Sequence, residues 1–337
     1  MSYSFGKIAD ACKVPNKGLL GFLLILMFQV SAGAQTGAEY SVLWIGQFPG
    51  EAGKKAPDFG DRLSRLVFGK KPREVIKPFN VVADNPGHYW ILDQGAGGVF
   101  EVLEGEGELI RSMKRAKQDF PSLVGICGTP AGGLFFTDSR LNQVMQVEDG
   151  DVSVFAGTLS FQQPTGIAFN RLSGEIWVVE TGAHQISVLN TAGERIRTIG
   201  GRGTAPGKFN YPTFIWIDAK GRVFVVDSMN FRVQILNARG QVESFFGELG
   251  DATGNMARPK GVATDSQGHI YVADALFHAV QIFDDQGNLL YSFGSQGQGA
   301  GEFWMPSGIY IDEQDHIYVA DSYNARVQVF QLVKNSL

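Results

Sequence analysis

Six times along this 337-residue chain an apolar run ends in an acidic residue, crosses a short polar loop and returns as a second apolar run. The copies read WILDQGAGGVFEV from Trp90, FFTDSRLNQVMQV from Phe135, WVVETGAHQISVL from Trp177, VVDSMNFRVQI from Val225, YVADALFHAVQIF from Tyr271 and VADSYNARVQV from Val319. Their acidic residues, Asp93, Asp138, Glu180, Asp227, Asp274 and Asp321, follow one another at intervals of 45, 42, 47, 47 and 47 positions. Self-similarity at a period in the forties restricts the chain to a solenoid or a propeller, and every local motif has to be read inside that repeat.

Within one unit the spacing is that of strands. Residues 258–294 contain the runs GVATD, HIYVAD, AVQIF and LLYSF, separated by SQG, ALFH and DDQGN. Such Gly, Asp and Asn loops are what hairpins require, and no run is long enough for an ordinary helix. Each unit is therefore a four-stranded antiparallel meander, and six of them make an all-β fold, a six-bladed β-propeller. The last unit stops three strands in, at VQVFQL, while SVLWIGQF (residues 41–48) stands unassigned near the start. It is expected to supply the outer strand of the last blade and so remove an open edge. Between it and the first blade, residues 58–71 carry Leu63, Leu66 and Val67 at helical spacing, with Asp61 as N-cap and Gly69 as stop. The expected organisation is 1–34 export segment, 35–77 closing strand and short helical connector, and 78–337 propeller.

Export is read from the first 34 residues. Lys7, Lys13 and Lys17 lead into the 13-residue apolar run GLLGFLLILMFQV, followed by small residues at Ala32 and Ala34. That is a positive, apolar and cleavage-site pattern, and its apolar part is short of the ~20 residues a spanning helix needs. Cleavage near Ala34 would release a periplasmic or secreted protein; the alternative is a chain tethered by the uncleaved segment. Past that point 26 basic residues face 33 acidic ones. With this acidic balance and no run of like charges, no nucleic-acid partner is expected. Cys12 precedes the apolar run, which leaves Cys127 without a disulfide partner.

The unit G-x-G-x-x-P-G-x-F-x-x-P-x-x-I-x-x-D-x-x-G-x-V-x-V-x-D-S-x-N-x-R-V-Q-I, read from Gly201 to Ile235, resembles the NHL repeat. The match recurs in the blades starting near Gly247 and Gly294, and more loosely in the first three. The resemblance implies a six-bladed propeller and, for exported bacterial members, a binding role. Relatives bind RNA or protein partners, and one related group is a metal-dependent lyase.

Repetition decides between site and turn for the acidic corner. A four-residue loop, residues 228–231, places Asp227 opposite Arg232 for a cross-strand ion pair, and Asp321 opposite Arg326 likewise. The carboxylate is also expected to accept loop N–H groups, and Asn230 to adopt the left-handed backbone. A catalytic residue has no reason to occur six times, so the corner reads as structural. The Gly-rich d–a loops (GGRGTAPGKFNYP and its two counterparts) lead into strands and lack Gly-Lys-Ser/Thr, so they do not read as phosphate cradles. Phe209 and Phe303 within them are expected to plug the space between blades.

Function is expected where the copies differ on one face. The d–a and b–c loops emerge together around the mouth of the channel. The position after each entry proline, or its equivalent, reads Phe79, Val124, Thr165, Thr213, Lys260 and Ser307, so Lys260 is the sole charge in that ring. Arg258, Met229, Phe277, His278, Trp304 and Tyr323 lie beside it in sequence or topology, a basic and aromatic mixture suited to docking a protein or a small ligand. A metal-dependent lyase or hydrolase in the channel is the alternative. His88, His269 and His316 fall at the opposite end, however, leaving only His184 and His278, fewer than the three ligands of a catalytic zinc. The expectation is a non-catalytic, monomeric binding or scaffolding propeller with no cofactor and no metal, touching membrane only through an uncleaved export segment.

Overall fold

The computed structural model describes residues 40–49, 75–85, 87–103, 109–113, 120–148 and 150–334. The export segment and the helix expected over 58–71 lie outside the described residues. Six four-stranded antiparallel sheets form the molecule. Blade 1 contains β2 (Pro78–Asn85), β3 (His88–Asp93), β4 (Gly98–Leu103) and β5 (Leu109–Met113). Blade 2 contains β6 (Leu123–Gly128), β7 (Leu134–Asp138), β8 (Gln143–Glu148) and β9 (Asp151–Phe155). Blade 3 runs through β10 (Pro164–Asn170), β11 (Glu175–Glu180), β12 (Gln185–Leu189) and β13 (Arg195–Gly200). Blade 4 has β14 (Pro212–Ile217), β15 (Val223–Asp227), β16 (Arg232–Leu236) and β17 (Val242–Phe246). Blade 5 has β18 (Pro259–Thr264), β19 (Ile270–Asp274), β20 (Ala279–Phe283) and β21 (Leu289–Phe293). In blade 6, β22 (Pro306–Ile311), β23 (His316–Asp321) and β24 (Arg326–Lys334) are joined by β1 (Tyr40–Phe48) from the other end of the chain.

The β1 register runs antiparallel to β24 from Tyr40 opposite Lys334 to Phe48 opposite Val327, with a shift between Trp44 and Gly46. Phe48 is fully buried and meets Tyr89 of blade 1 edge-on at 5.7 Å. The added strand therefore covers the last blade's edge and also packs on the first blade, so it ties the two ends of the ring together.

The innermost strands β2, β6, β10, β14, β18 and β22 each touch the one before and the one after, closing a ring of six. Glycine permits this approach. A Cβ at Gly125, Gly166 or Gly261 would lie 2.2, 2.8 or 2.7 Å from the carbonyl oxygen of Thr165, Thr213 or Ser307 on the next blade. Further out, one side chain three positions before each entry residue plugs the gap to the preceding blade: Val75, Phe120, Phe161, Phe209, Met256 and Phe303, all buried. Phe209 lies among Trp177, Val179 and Ile186 of blade 3 and Ile215 and Val225 of blade 4, and Phe303 meets Phe293 and Phe330 of blades 5 and 6. Each such burial contributes roughly 1.5–3 kcal/mol, and each couples two blades that share no hydrogen-bonded strand pair.

Candidate functional site

All six repeated acids are buried. Each accepts a main-chain N–H from the loop entering its own blade, which brings the d–a and b–c loops together at one end of the ring. Two corner types satisfy the remaining lone pairs. In blades 1, 2 and 5 the carboxylate also accepts amides of its own loop, such as Ala96 N–H to Asp93 (2.7 Å), Leu141 N–H to Asp138 (2.9 Å) and Leu276 N–H to Asp274 (3.0 Å). In blades 3, 4 and 6 the corner is a short 3-10 turn, Thr181–Ala183, Ser228–Asn230 and Ser322–Asn324, and side chains take over. Asp227 accepts from Asn210 N–H (2.6 Å), Asn230 Nδ2 (2.8 Å), Arg232 Nε (2.8 Å) and Gln234 Nε2 (3.0 Å), and Asp321 repeats the set with Trp304, Asn324, Arg326 and Gln328. Burial pushes the Asp93 and Asp321 carboxyls above the usual aspartate range, against the opposing effect of these bonds.

One sequence expectation about this corner is corrected. The left-handed residue is Phe231 (φ 53°) in blade 4 and Ala325 (φ 54°) in blade 6, one position later than Asn230 and its counterpart Asn324. The asparagine is needed elsewhere: its Nδ2 bridges Asp227 and the Gly203 carbonyl (3.0 Å), a reach that the 3-10 turn provides.

The same donors explain the Gly-rich loops. Arg232 Nη2 donates to the carbonyls of Ala205 (3.2 Å) and Lys208 (3.1 Å), and Arg326 Nη2 to those of Gly299 and Glu302 (both 2.8 Å). Each loop is thus clamped through carbonyls turned toward its own blade. A phosphate cradle needs the opposite polarity, with several amides converging on one vacant point.

The channel mouth differs from blade to blade. In blades 3, 4 and 6 the position after the entry proline is a hydroxyl paired with another on the corner: Thr165 with Thr181 (2.7 Å), Thr213 with Ser228 (2.5 Å), Ser307 with Ser322 (2.7 Å). Thr181 and Ser322 also donate to the next blade's Pro212 and Pro78 carbonyls. Blade 5 replaces this latch with Lys260, opposite an alanine corner at Ala275. Lys260 Nζ lies 6.0 Å from the centroid of the Phe79 ring, and its pKa is pushed down to about 8, first by burial and then by the charges of Arg258 and Lys77. Lys77 Nζ lies 5.2 Å from the Tyr323 ring centroid, and Tyr323 lies 5.9 Å from Trp304. Arg258, Tyr323 and Trp304 are exposed.

Of the residues singled out in the sequence, the structure brings together Lys260, Arg258, Tyr323 and Trp304, and it adds Lys77, which sequence reading missed. The signal was available, since Lys77 precedes Pro78 as Arg258 precedes Pro259. Met229 is exposed on the blade 4 corner and Phe277 half-buried on that of blade 5; among the described residues neither makes a ring or ion contact with the Lys260 group. His278 is committed to structure: its Nδ1 accepts the Met305 N–H (3.1 Å) of blade 6. His184 accepts the Tyr211 N–H (3.0 Å) in the same way, and Asn142 the Gln163 N–H (2.8 Å). All three donors have positive φ, so these side chains pin an uncommon backbone from the neighbouring blade.

Below the mouth aromatic rings meet across the axis. Phe79 of blade 1 stacks on Phe214 of blade 4 at 5.9 Å, and Trp216 of blade 4 meets Tyr310 of blade 6 edge-on at 5.5 Å. These rings belong to non-adjacent blades and meet across the channel. Among the described residues no group of three or more His, Cys, Asp or Glu side chains is placed to hold a metal. Cys127 is buried on β6, its thiol pushed up to about 12 by burial. No helix among the described residues is long and apolar enough to cross a membrane.

These features define a class: a six-bladed all-β propeller with aromatic rings meeting across its axis and a cationic, aromatic mouth. The family DUF5128, described as a 6-bladed beta-propeller, matches residues 261–336, within the last two blades. No curated protein matches the chain. Among solved structures, a catalytically inactive virginiamycin B lyase from Staphylococcus aureus with quinupristin is similar at 12% identity, TM-score 0.58, over 88% of this chain and 100% of that one. An auxiliary nutrient binding protein from Bacteroides ovatus is similar at 12% identity, TM-score 0.61, over 88% and 78%. Its counterpart from Bacteroides thetaiotaomicron is similar at 13% identity, TM-score 0.61, over 76% and 69%. At such identities the similarity shows the fold alone.

Proposed function

We propose that this chain is an exported, monomeric NHL-type propeller that acts as a non-catalytic binding module, receiving a protein or small ligand on the channel mouth. One observation carries the reading. Where three other blades place a hydroxyl latch that serves the fold, blade 5 places Lys260, desolvated and next to two like charges. Such a side chain costs folding free energy, and no carboxylate pairs with Lys77, Arg258 or Lys260 among the described residues. A cationic group with an aromatic border and, among the described residues, no carboxylate partner is suited to a partner that brings the opposite charge. Similarity to auxiliary nutrient binding proteins is consistent with this reading. Similarity to a lyase favours the alternative of catalysis in the channel, but the commitment of His184 and His278 to backbone latches weighs against it.

The test is capture from the exported fraction on immobilised protein. A species held by the wild type and lost from Lys260→Gln, Arg258→Gln and Trp304→Ala supports the mouth as the binding face. Equal recovery on all three overturns it.

A further inference from the structure

We propose that the mouth recognises an organic carboxylate with an apolar or planar body, its acid group held by Lys260, Arg258 and Lys77 and its body laid on Phe79 beside Tyr323. This deepens, and rests on, the reading of the mouth as the binding face.

The argument is one of matched chemistry. The three cations come from the entry segments of blades 5 and 1, on either side of blade 6, and the charges of Arg258 and Lys77 both act on Lys260. Phe79 is half-buried, with its ring stacked on Phe214 and its centroid 6.0 Å from Lys260 Nζ, so it forms an apolar floor beside the amine. Tyr323 and Trp304 stand exposed at the rim, Tyr323 already lying beside Lys77. An inorganic anion would answer the charges and leave the floor and rim wet. A neutral aromatic would cover the floor and leave the cations crowded. A carboxylate on an apolar body answers both: it neutralises the like charges through charge-assisted hydrogen bonds and covers Phe79. Arg258 suits it further, because the guanidinium fork matches the two carboxylate oxygens.

The experiment is calorimetric titration of the full-length chain with benzoate, benzamide and inorganic phosphate. Benzoate should bind one to one with a dissociation constant of about 1 mM or tighter. Benzamide and phosphate should each bind at least about tenfold more weakly, and Lys260→Gln should weaken benzoate by at least about tenfold. Lys260→Met, which keeps the length and apolar stem, should lose the same affinity while remaining folded by thermal unfolding. No binding of benzoate, equal binding of benzamide or phosphate, or unchanged affinity in both Lys260 variants each overturns the proposal. If benzoate fails while the mouth variants still lose the captured species, the carboxylate inference falls and the binding face stands. If those variants keep the species, the binding face itself falls.

Discussion

Replacing Lys260 with methionine should stabilise the protein, and the gain should depend on pH in one direction. The folded chain holds this amine at about 8 against 10.5 for an ordinary lysine, because burial and the charges of Arg258 and Lys77 disfavour the ammonium. A displacement of that size corresponds to an upper bound of about 3 kcal/mol. The side chain is only half-buried, so solvent screening reduces this to about 1–2 kcal/mol. Because the folded pKa lies below the unfolded one, the full penalty on wild type is present below pH 8. Between about 8 and 10.5 the unfolded chain holds the proton that the folded chain has released, so wild-type stability rises with pH across that window. The methionine side chain of the variant does not titrate. Urea unfolding of both proteins at pH 7, 8.5 and 10 should therefore show Lys260→Met ahead by about 1–2 kcal/mol at pH 7, with the gap shrinking to a few tenths by pH 10. A variant less stable than wild type at pH 7, or a gap that does not change with pH, refutes the claim that Lys260 is a cost to the fold.

The structural assignments make their own predictions. Asp227→Ala leaves Arg232 buried without its carboxylate and should cost about 3–5 kcal/mol in denaturant unfolding, with benzoate affinity unchanged. His278→Ala should cost about 1 kcal/mol by losing the bond to Met305, and His278→Asn should restore most of it, since Asn142 does this work between blades 2 and 3. Gly308→Ala places a Cβ 2.4 Å from Asn80 Oδ1 at the junction of the sixth and first blades, and should lower stability by roughly 1–3 kcal/mol. The Cys127 thiol, buried and held near 12, should resist alkylation in the folded protein and react in urea, as mass spectrometry would show.

The fold was legible in the sequence because propeller blades repeat their constraints. An acid recurs at every corner because every corner must tie down an entry loop, and the turn residues mark each hairpin. What stayed illegible depends on contacts between blades. Nothing in DSMNFR shows that the residue after the asparagine turns left-handed; the conformation recurs four positions after the acid of every corner, at Gly97, Asn142, His184, Phe231, His278 and Ala325, and only Gly97 and Asn142 are residues that favour it. His278 looked free for a ligand because its partner, the Met305 amide, lies 27 residues away in another sheet. The aromatic contact across the axis is written in a different column of the repeat: two positions after the entry residue stand Asn80, Gly125, Gly166, Phe214, Gly261 and Gly308, and one aromatic among four glycines marks the ring that meets Phe79. Lys77 escaped because it comes near Lys260 only across blade 6, whereas Arg258 stands two residues from it in sequence.

The binding face is tested most directly by where a bound partner touches. A photo-crosslinking amino acid at Tyr323 on the mouth should form an adduct with the species captured from the exported fraction, and the same amino acid at Gln267, on an a–b turn at the opposite end, should form none. Adducts from position 267 with none from position 323 would contradict the account.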